Sequence, residues 1–223
     1  MLSDFISLLF PKCCIVSGEP LAKGEEYLSL STVHKLPRYN VQTTNEKLTH
    51  KFSGLVKVEH VWAYYKYNKK SSVQKLLQQI KYKNRPEVGR LTGKWFGESI
   101  ARLNPKIDII VPIPLHPSKK RKRGYNQSDY IAEGMAEALQ KEWLPDVMER
   151  TVNTATQTKK GRRERFENTS NIYRVSKPGK IVGKSVLVVD DVITTGATVG
   201  QCAELLIDAG SSGVSVAALA AAE

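Results

Sequence analysis

From Val186 to Val189 the chain is apolar without interruption, and Asp190 and Asp191 follow side by side. An unbroken apolar run suits a strand buried on both faces of a parallel sheet. Thr194, Thr195, Gly196, Ala197 and Thr198 then form a turn of hydroxyl and small residues. Val199, Ala203, Leu206 and Ala209 recur beyond it at helical spacing, and Gly210 closes the segment. The pattern predicts strand, turn and helix, with two acids at the carboxyl end of the strand.

The same reading extends in both directions. Val73, Leu76, Leu77 and Ile80 mark one helix face behind Ser71-Ser72, a pair suited to capping a helix start. Pro86 fits a first helical position, and Val88, Leu91, Trp95, Phe96, Ile100 and Leu103 give a second amphipathic helix. Ile107 to Val111 predicts a short buried strand stopped by Pro112 and Pro114. Ile131, Met135, Ala138 and Leu139 give the next helix, and Val214 to Leu219 the last strand. Strands alternating with helices imply an α/β fold around a mainly parallel sheet. Residues 1–68 break this rhythm and read as a small accessory region, with a strand-like aromatic stretch from Val61 to Tyr67; residues 69–223 form the main domain. Arg150 to Arg174 is polar, basic and without apolar periodicity, which predicts a long loop or hairpin; loops of that length in compact domains tend to be functional.

The corner after Val189 carries chemistry. Ligands of open α/β sheets bind at the carboxyl ends of the strands. Free N–H groups and threonine hydroxyls at a helix N-terminus seat a phosphate. Two neighbouring carboxylates raise each other's pKa unless a partner intervenes, and a ribose diol with Mg²⁺ would be such a partner. Asp190 and Asp191 beside a Thr194–Thr198 cradle therefore describe a ribose 5-phosphate site.

Composition narrows the picture. The formal charge is +12, and Lys119-Lys120-Arg121-Lys122-Arg123 holds five of those positive charges. A second run, Lys159 to Arg165, adds a net four, so the remainder is nearly balanced and anionic partners are expected. The first run follows Pro112-Ile113-Pro114-Leu115-His116-Pro117, a stiff turn after a strand, and reads as a loop that neutralises a pyrophosphate; a solvated basic loop is the plainer alternative. His116 suits either a phosphate contact or a structural hydrogen bond. Three cysteines provide no disulfide framework, which agrees with a reducing, cytoplasmic setting. No apolar run reaches the roughly 20 residues of a membrane span. The opening Met1–Pro11 carries Asp4 and no basic start, and reads as a small amphipathic helix rather than a secretory signal.

The Val186–Thr198 segment resembles the signature of type I phosphoribosyltransferases, which bind phosphoribosyl pyrophosphate (PRPP). Together with P-I-P-L-H-P, R-G-Y-N-Q at Arg123–Gln127, Gln157-Thr158 and the Arg162, Arg163, Arg165, Asn168 cluster, the chain resembles the ComF family, competence-associated phosphoribosyltransferase-like proteins. The resemblance spans about Val73 to Leu219. It implies a type I phosphoribosyltransferase fold with a small N-terminal subdomain. It further implies pyrophosphate binding by Pro112, Ile113, Pro114 and Arg123, with Asn126 and Gln127 alongside. A flexible loop carrying Gln157, Arg162, Arg163, Arg165 and Asn168 would cover the site; contact with a nucleic-acid backbone is the other reading of those arginines. ComF proteins commonly begin with a zinc module of two C-x-x-C pairs. Counting back from Leu36-Pro37, those positions fall on Cys14, Ser17, Ser29 and Thr32, so a single cysteine remains. Hydroxyls are poor zinc ligands, and Cys13 and His34 sit at irregular spacing, so the subdomain is expected to keep its shape without zinc.

Two functions are expected to compete. One is an enzyme that uses PRPP and Mg²⁺, transfers phosphoribose to a nitrogen acceptor and releases pyrophosphate. Complete glutamine amidotransferase activity is not expected, since Met1-Leu2-Ser3 supplies no cysteine nucleophile. The other is a non-catalytic PRPP-site module in DNA uptake or processing, contacting single-stranded DNA or a helicase through the basic segments. Such a groove would need aromatics for stacking, and Tyr64, Tyr65 and Tyr67 lie near neither basic run in sequence. The acceptor and the oligomeric state are not encoded legibly.

Overall fold

The computed structural model describes residues 11–43, 46–151 and 172–222. Their apolar periodicities become the expected elements. In helix α3, Ser72–Tyr82, the residues Val73, Leu76, Leu77 and Ile80 are buried, and the Ser71 hydroxyl accepts a hydrogen bond from the Gln74 N–H at 3.2 Å. Such a cap contributes about 1 kcal/mol. Helix α4, Pro86–Ala101, starts on its proline. Short helices α1, Leu30–Lys35, and α2, Glu46–His50, precede them.

Five strands form a parallel sheet in the order β1-β7-β6-β2-β3: β1 Val61–Tyr67, β2 Ile109–Pro112, β3 Glu142–Trp143, β6 Ser185–Ile193 and β7 Gly213–Ala222. A separate antiparallel pair joins β4, Met148–Arg150, to β5, Tyr173–Val175. Helix α6, Gln127–Leu139, packs with α3 and α4 against one face of the sheet, and α7, Ala197–Asp208, packs against the other. Strand β6 shows why its sequence lacks alternation: Leu187 and Val189 serve one core layer while Val186 and Val188 serve the other.

The connection after β2 leads outward to β3, and the one after β6 leads the opposite way to β7. The chain thus diverges between β2 and β6, the kind of crevice where doubly wound sheets place ligands. Helices α4 and α6 approach unusually closely below it. A Cβ on Gly93 would lie 2.2 Å from the Ile131 carbonyl oxygen, and one on Gly134 would lie 2.0 Å from that of Arg90. Only glycine permits this contact, so the glycines of α4 are part of its packed face alongside the large apolar residues.

Two expectations need correction. The division at 68/69 assigns β1 to the accessory region, yet β1 pairs along its length with β7 as the sheet's edge strand. Its other side is covered by Pro37–Tyr39, with the Tyr39 N–H donating to the Tyr64 carbonyl at 3.0 Å. Cys14, Leu28 and Leu36 share one buried cluster with Tyr65, Phe96 and Ile131, so the core runs on without a break. The basic run is also no loop. Pro117–Arg123 is helix α5, entered through His116, whose Nδ1 accepts from the Ser118 N–H at 3.2 Å, and closed by Gly124 at φ 85°.

Candidate functional site

Asp190 and Asp191 lie at the carboxyl end of β6, which continues four residues beyond the apolar run, to Ile193. Thr194–Gly196 turn the chain, Gly196 at φ 83° sits before the first residue of α7, and Thr194, Thr195 and Thr198 are exposed. The N–H groups of the first turn of α7 have no helical carbonyl to meet, and Thr195 Oγ1 takes only a long 3.4 Å hydrogen bond from Ala197. This cradle remains open to an anion. The N-terminal region packs against Gly196, where an added Cβ would come within 3.1 Å of the Lys51 carbonyl.

The two acids are held differently. Asp191 is buried, receives a 2.5 Å hydrogen bond from Gln127 Nε2 and pairs with Lys81 Nζ at 3.0 Å. Asp190 accepts from Ser128 Oγ at 3.1 Å and from the Asp191 N–H at 2.8 Å. Burial, followed by the neighbouring Asp191 charge, pushes the Asp190 carboxyl well above its ordinary range. An acid held in that state gains from any cation or hydroxyl that approaches it.

Each residue of the Arg123–Gln127 motif has a visible task. Arg123 Nη1 donates to Gln127 Oε1 at 2.6 Å, and its guanidinium lies 5.0 Å from the centre of the Tyr82 ring. Gly124 supplies the left-handed turn, and the Tyr125 hydroxyl donates to the Ile80 carbonyl. Asn126 Nδ2 donates to the Ile113 carbonyl at 2.9 Å, and Gln127 carries the chain of contacts to Asp191. Pro112, Ile113 and Pro114 therefore do not form a free loop. The Ile113 N–H donates to the Val189 carbonyl at 2.8 Å, which fixes the turn beside the acids. Arg123 lies at the same end of the sheet, pointing to Tyr82 and Gln127.

Gln157, Arg162, Arg163, Arg165 and Asn168 lie outside the described residues. The strands flanking that segment are described. Thr151 N–H donates to the Ile172 carbonyl at 2.9 Å, and the Arg150 guanidinium lies 5.3 Å from the Tyr173 ring centre. Lys81 and Ser128 carry no distinguishing signal in the sequence. Lys81 reads there as an ordinary cation near a helix C-terminus, and Ser128 as a first-turn helix residue; only the meeting of α3 and α6 with β6 reveals them.

The four positions corresponding to the zinc module also converge. Cys14 Sγ is 3.3 Å from Thr32 Oγ1, and Ser29 Oγ donates to the same oxygen at 2.9 Å. Burial alone would raise the Cys14 thiol, but hydrogen bonds from Ser17, Thr32 and Ser29 outweigh it and bring it down to about 6. Cys13 and His34 are exposed. Among the described residues no group of three His, Cys, Asp or Glu side chains is placed to hold a metal ion.

No described helix is long and apolar enough to cross a membrane. The profile of the family described as "Phosphoribosyl transferase domain" matches residues 78–223. The Escherichia coli K12 protein called "DNA utilization protein YhgH" is 33% identical over 146 residues, and the match covers 63% of each chain. The Haemophilus influenzae "Competence protein F" is 28% identical over 153 residues, covering 66% of this chain and 67% of its own. The chain thus spans somewhat less than two thirds of the first of these relatives. A solved structure, the allosteric regulatory enzyme of purine biosynthesis, superposes with a TM-score of 0.46 at 20% identity over 64% of this chain and 30% of that one. With that profile matched over residues 78–223, the chain belongs to the phosphoribosyl transferase domain family.

Proposed function

We propose that the β6–α7 corner binds PRPP and that the protein transfers its phosphoribosyl group to a nitrogen acceptor. The observation that supports this most strongly is the pairing of Asp190 and Asp191 beside an open, threonine-lined helix start. The acids take the ribose hydroxyls, and Thr194, Thr195, Gly196, Ala197 and Thr198 take the 5-phosphate. The Pro112–Pro114 turn and Arg123 take the pyrophosphate, at the same end of the sheet. The carboxylates of Asp190 and Asp191 fit Mg²⁺, which would offset their charge against the ribose hydroxyls and neutralise charge on the leaving group. In transfer, the bond from C1′ to the pyrophosphate oxygen breaks, and that oxygen keeps the electron pair. A bond from C1′ to the acceptor nitrogen forms, and the nitrogen's proton passes to solvent. This chain contributes orientation and charge, by holding the ribose against Asp191, which Gln127 and Lys81 fix in turn.

Thermal unfolding with PRPP and Mg²⁺ tests the reading. Wild-type protein is expected to be stabilised, and Asp190→Asn with Asp191→Asn to lose that stabilisation while remaining folded. Equal stabilisation of both would rule out the ribose grip. Pyrophosphate release across candidate bases and amines then tests turnover.

A second reading, a module for DNA or a helicase in competence, draws on the names of the relatives and on the exposed cations of α5. Multiple phosphate contacts would make such binding fall steeply with salt. PRPP binding would instead require Mg²⁺ and the acid pair.

A further inference from the structure

Asn126 stands at the start of α6, where an asparagine ordinarily turns its side-chain oxygen back onto the free N–H groups of the first turn. Here no side-chain hydrogen bond caps the helix, and Oδ1 is buried without a partner. The residue is 4% exposed, which keeps solvent from supplying the missing donor. Its amide faces the other way. Nδ2 donates to the Ile113 carbonyl at 2.9 Å and to Asp129 Oδ1 at 2.8 Å. Turned over, the amide would set Oδ1 against a carbonyl and a carboxylate, three acceptors with no proton between them. Asp129, in the first turn of α6, therefore decides which way Asn126 faces. Burial pushes the Asp129 carboxyl up to about 6, against the hydrogen bond from Asn126 and the charge of Lys120. At neutral pH it remains ionised, and a charged acceptor holds the amide more strongly than a neutral one.

We propose that Asp129 is a positioning residue for the pyrophosphate turn, acting through Asn126 on the Ile113 carbonyl. Ile113 is pinned on both sides. Its N–H donates to the Val189 carbonyl at 2.8 Å, on the strand that carries the acids, and its own carbonyl is held by Asn126. The Pro112–Pro114 turn is thereby fixed relative to Asp190 and Asp191. Loss of the Asp129 carboxylate frees Asn126 to swing back and cap α6, a rotation that satisfies Oδ1 and leaves the Ile113 carbonyl without its donor. A helix cap is given up for a rigid turn, and local rules are broken in this way where geometry serves a ligand rather than the fold. The effect on PRPP rests on the function proposed above; the effect on the turn does not.

Amide hydrogen exchange of the unliganded full chain, read by NMR, tests the hold on the turn. Asp129→Ala and Asn126→Ser should each speed exchange of the Ile113 N–H by about tenfold, while amides of β7 change by less than about twofold. Serine can still cap α6 but is too short to reach Ile113. The double variant should be no faster than either single one, because the two residues act as a unit. Unchanged exchange at Ile113 overturns the proposal, as do additive effects in the double variant. Equal acceleration throughout the sheet also overturns it, since Asp129 would then be a general stabiliser. Calorimetry with Mg²⁺ next compares PRPP with ribose 5-phosphate, which lacks the pyrophosphate. Each variant should weaken PRPP by about fivefold or more and ribose 5-phosphate by less than about twofold. Equal weakening of both ligands, or of neither, overturns the link to pyrophosphate. If wild-type protein binds no PRPP while Ile113 exchange is accelerated in the variants, the PRPP reading fails and the hold of Asp129 on the turn stands.

Discussion

The corner after β6 and the loops around Cys14 both gather polar groups at positions suited to holding a ligand, and they handle those groups in opposite ways. At the corner, Asp190 is pushed above its ordinary pKa by burial and by Asp191, and the threonine cradle stays open. Around Cys14, the groups satisfy one another: Thr32 accepts from Ser29, and Ser17, Thr32 and Ser29 bond the thiol. The first arrangement stores unfavourable charge that a bound cation and sugar would release. The second is complete in itself. On the proposed reading, internal hydrogen bonds complete the Cys14 cluster without a ligand, whereas the corner is left electrostatically incomplete for one.

The largest effect should come from restoring thiols. Ser17→Cys, Ser29→Cys and Thr32→Cys together give Cys14 three partners, and this variant is expected to take up one zinc per chain and unfold at a markedly higher temperature, because structural zinc contributes folding free energy directly. Wild-type protein should carry well under one zinc per chain by elemental analysis. Stoichiometric zinc in the wild type would break the contrast, and no uptake by the variant would show that the loops are not arranged around a common centre.

A smaller effect is expected at Gly196, whose φ of 83° and 3.1 Å approach to the Lys51 carbonyl leave little room for a side chain. Gly196→Val should cost about 1–2 kcal/mol of stability and sharpen the contrast by weakening PRPP-dependent stabilisation disproportionately. Chemical denaturation with and without ligand separates the two losses.

The smallest expected effect is a pair of opposite pH slopes. Asp190 has a raised pKa when folded, so the unfolded chain ionises first, and unliganded stability should fall as pH rises from the ordinary carboxylate range through the raised value. Asp190→Asn should remove that slope. Cys14 has a folded pKa lowered from 9.0 to about 6, so its contribution should grow as pH rises between those values and be lost as pH falls through about 6. The stability gap between wild type and Cys14→Ser should widen accordingly. Slopes of the same sign would contradict the distinction drawn between the two regions.

Much of this was legible in the chain. Continuous apolar character from Val186 to Val189 announced a strand buried on both faces, and the acids and threonines after it named the corner. Ser71, Pro86 and Gly210 marked element ends through local backbone chemistry. What escaped depends on distance in sequence. Strand β1 looks like an isolated aromatic segment because its partner β7 lies at the other end of the chain. Gly93 and Gly134 reveal a close helix contact only when α4 and α6 are docked. The run Lys119–Arg123 reads as a loop because charge obscures helix formation; His116 and Gly124, which cap it, are the local signals that were available. Lys81 and Tyr82 acquire their neighbours Asp191 and Arg123 entirely through tertiary packing.

Titration calorimetry of PRPP with Mg²⁺ tests the central claim most directly. Binding to wild-type protein should be saturable, should require Mg²⁺ and should release protons near neutral pH as Asp190 ionises; it should vanish in Asp190→Asn, Asp191→Asn. Heat of the same size in that variant, or none in the wild type, would contradict the account.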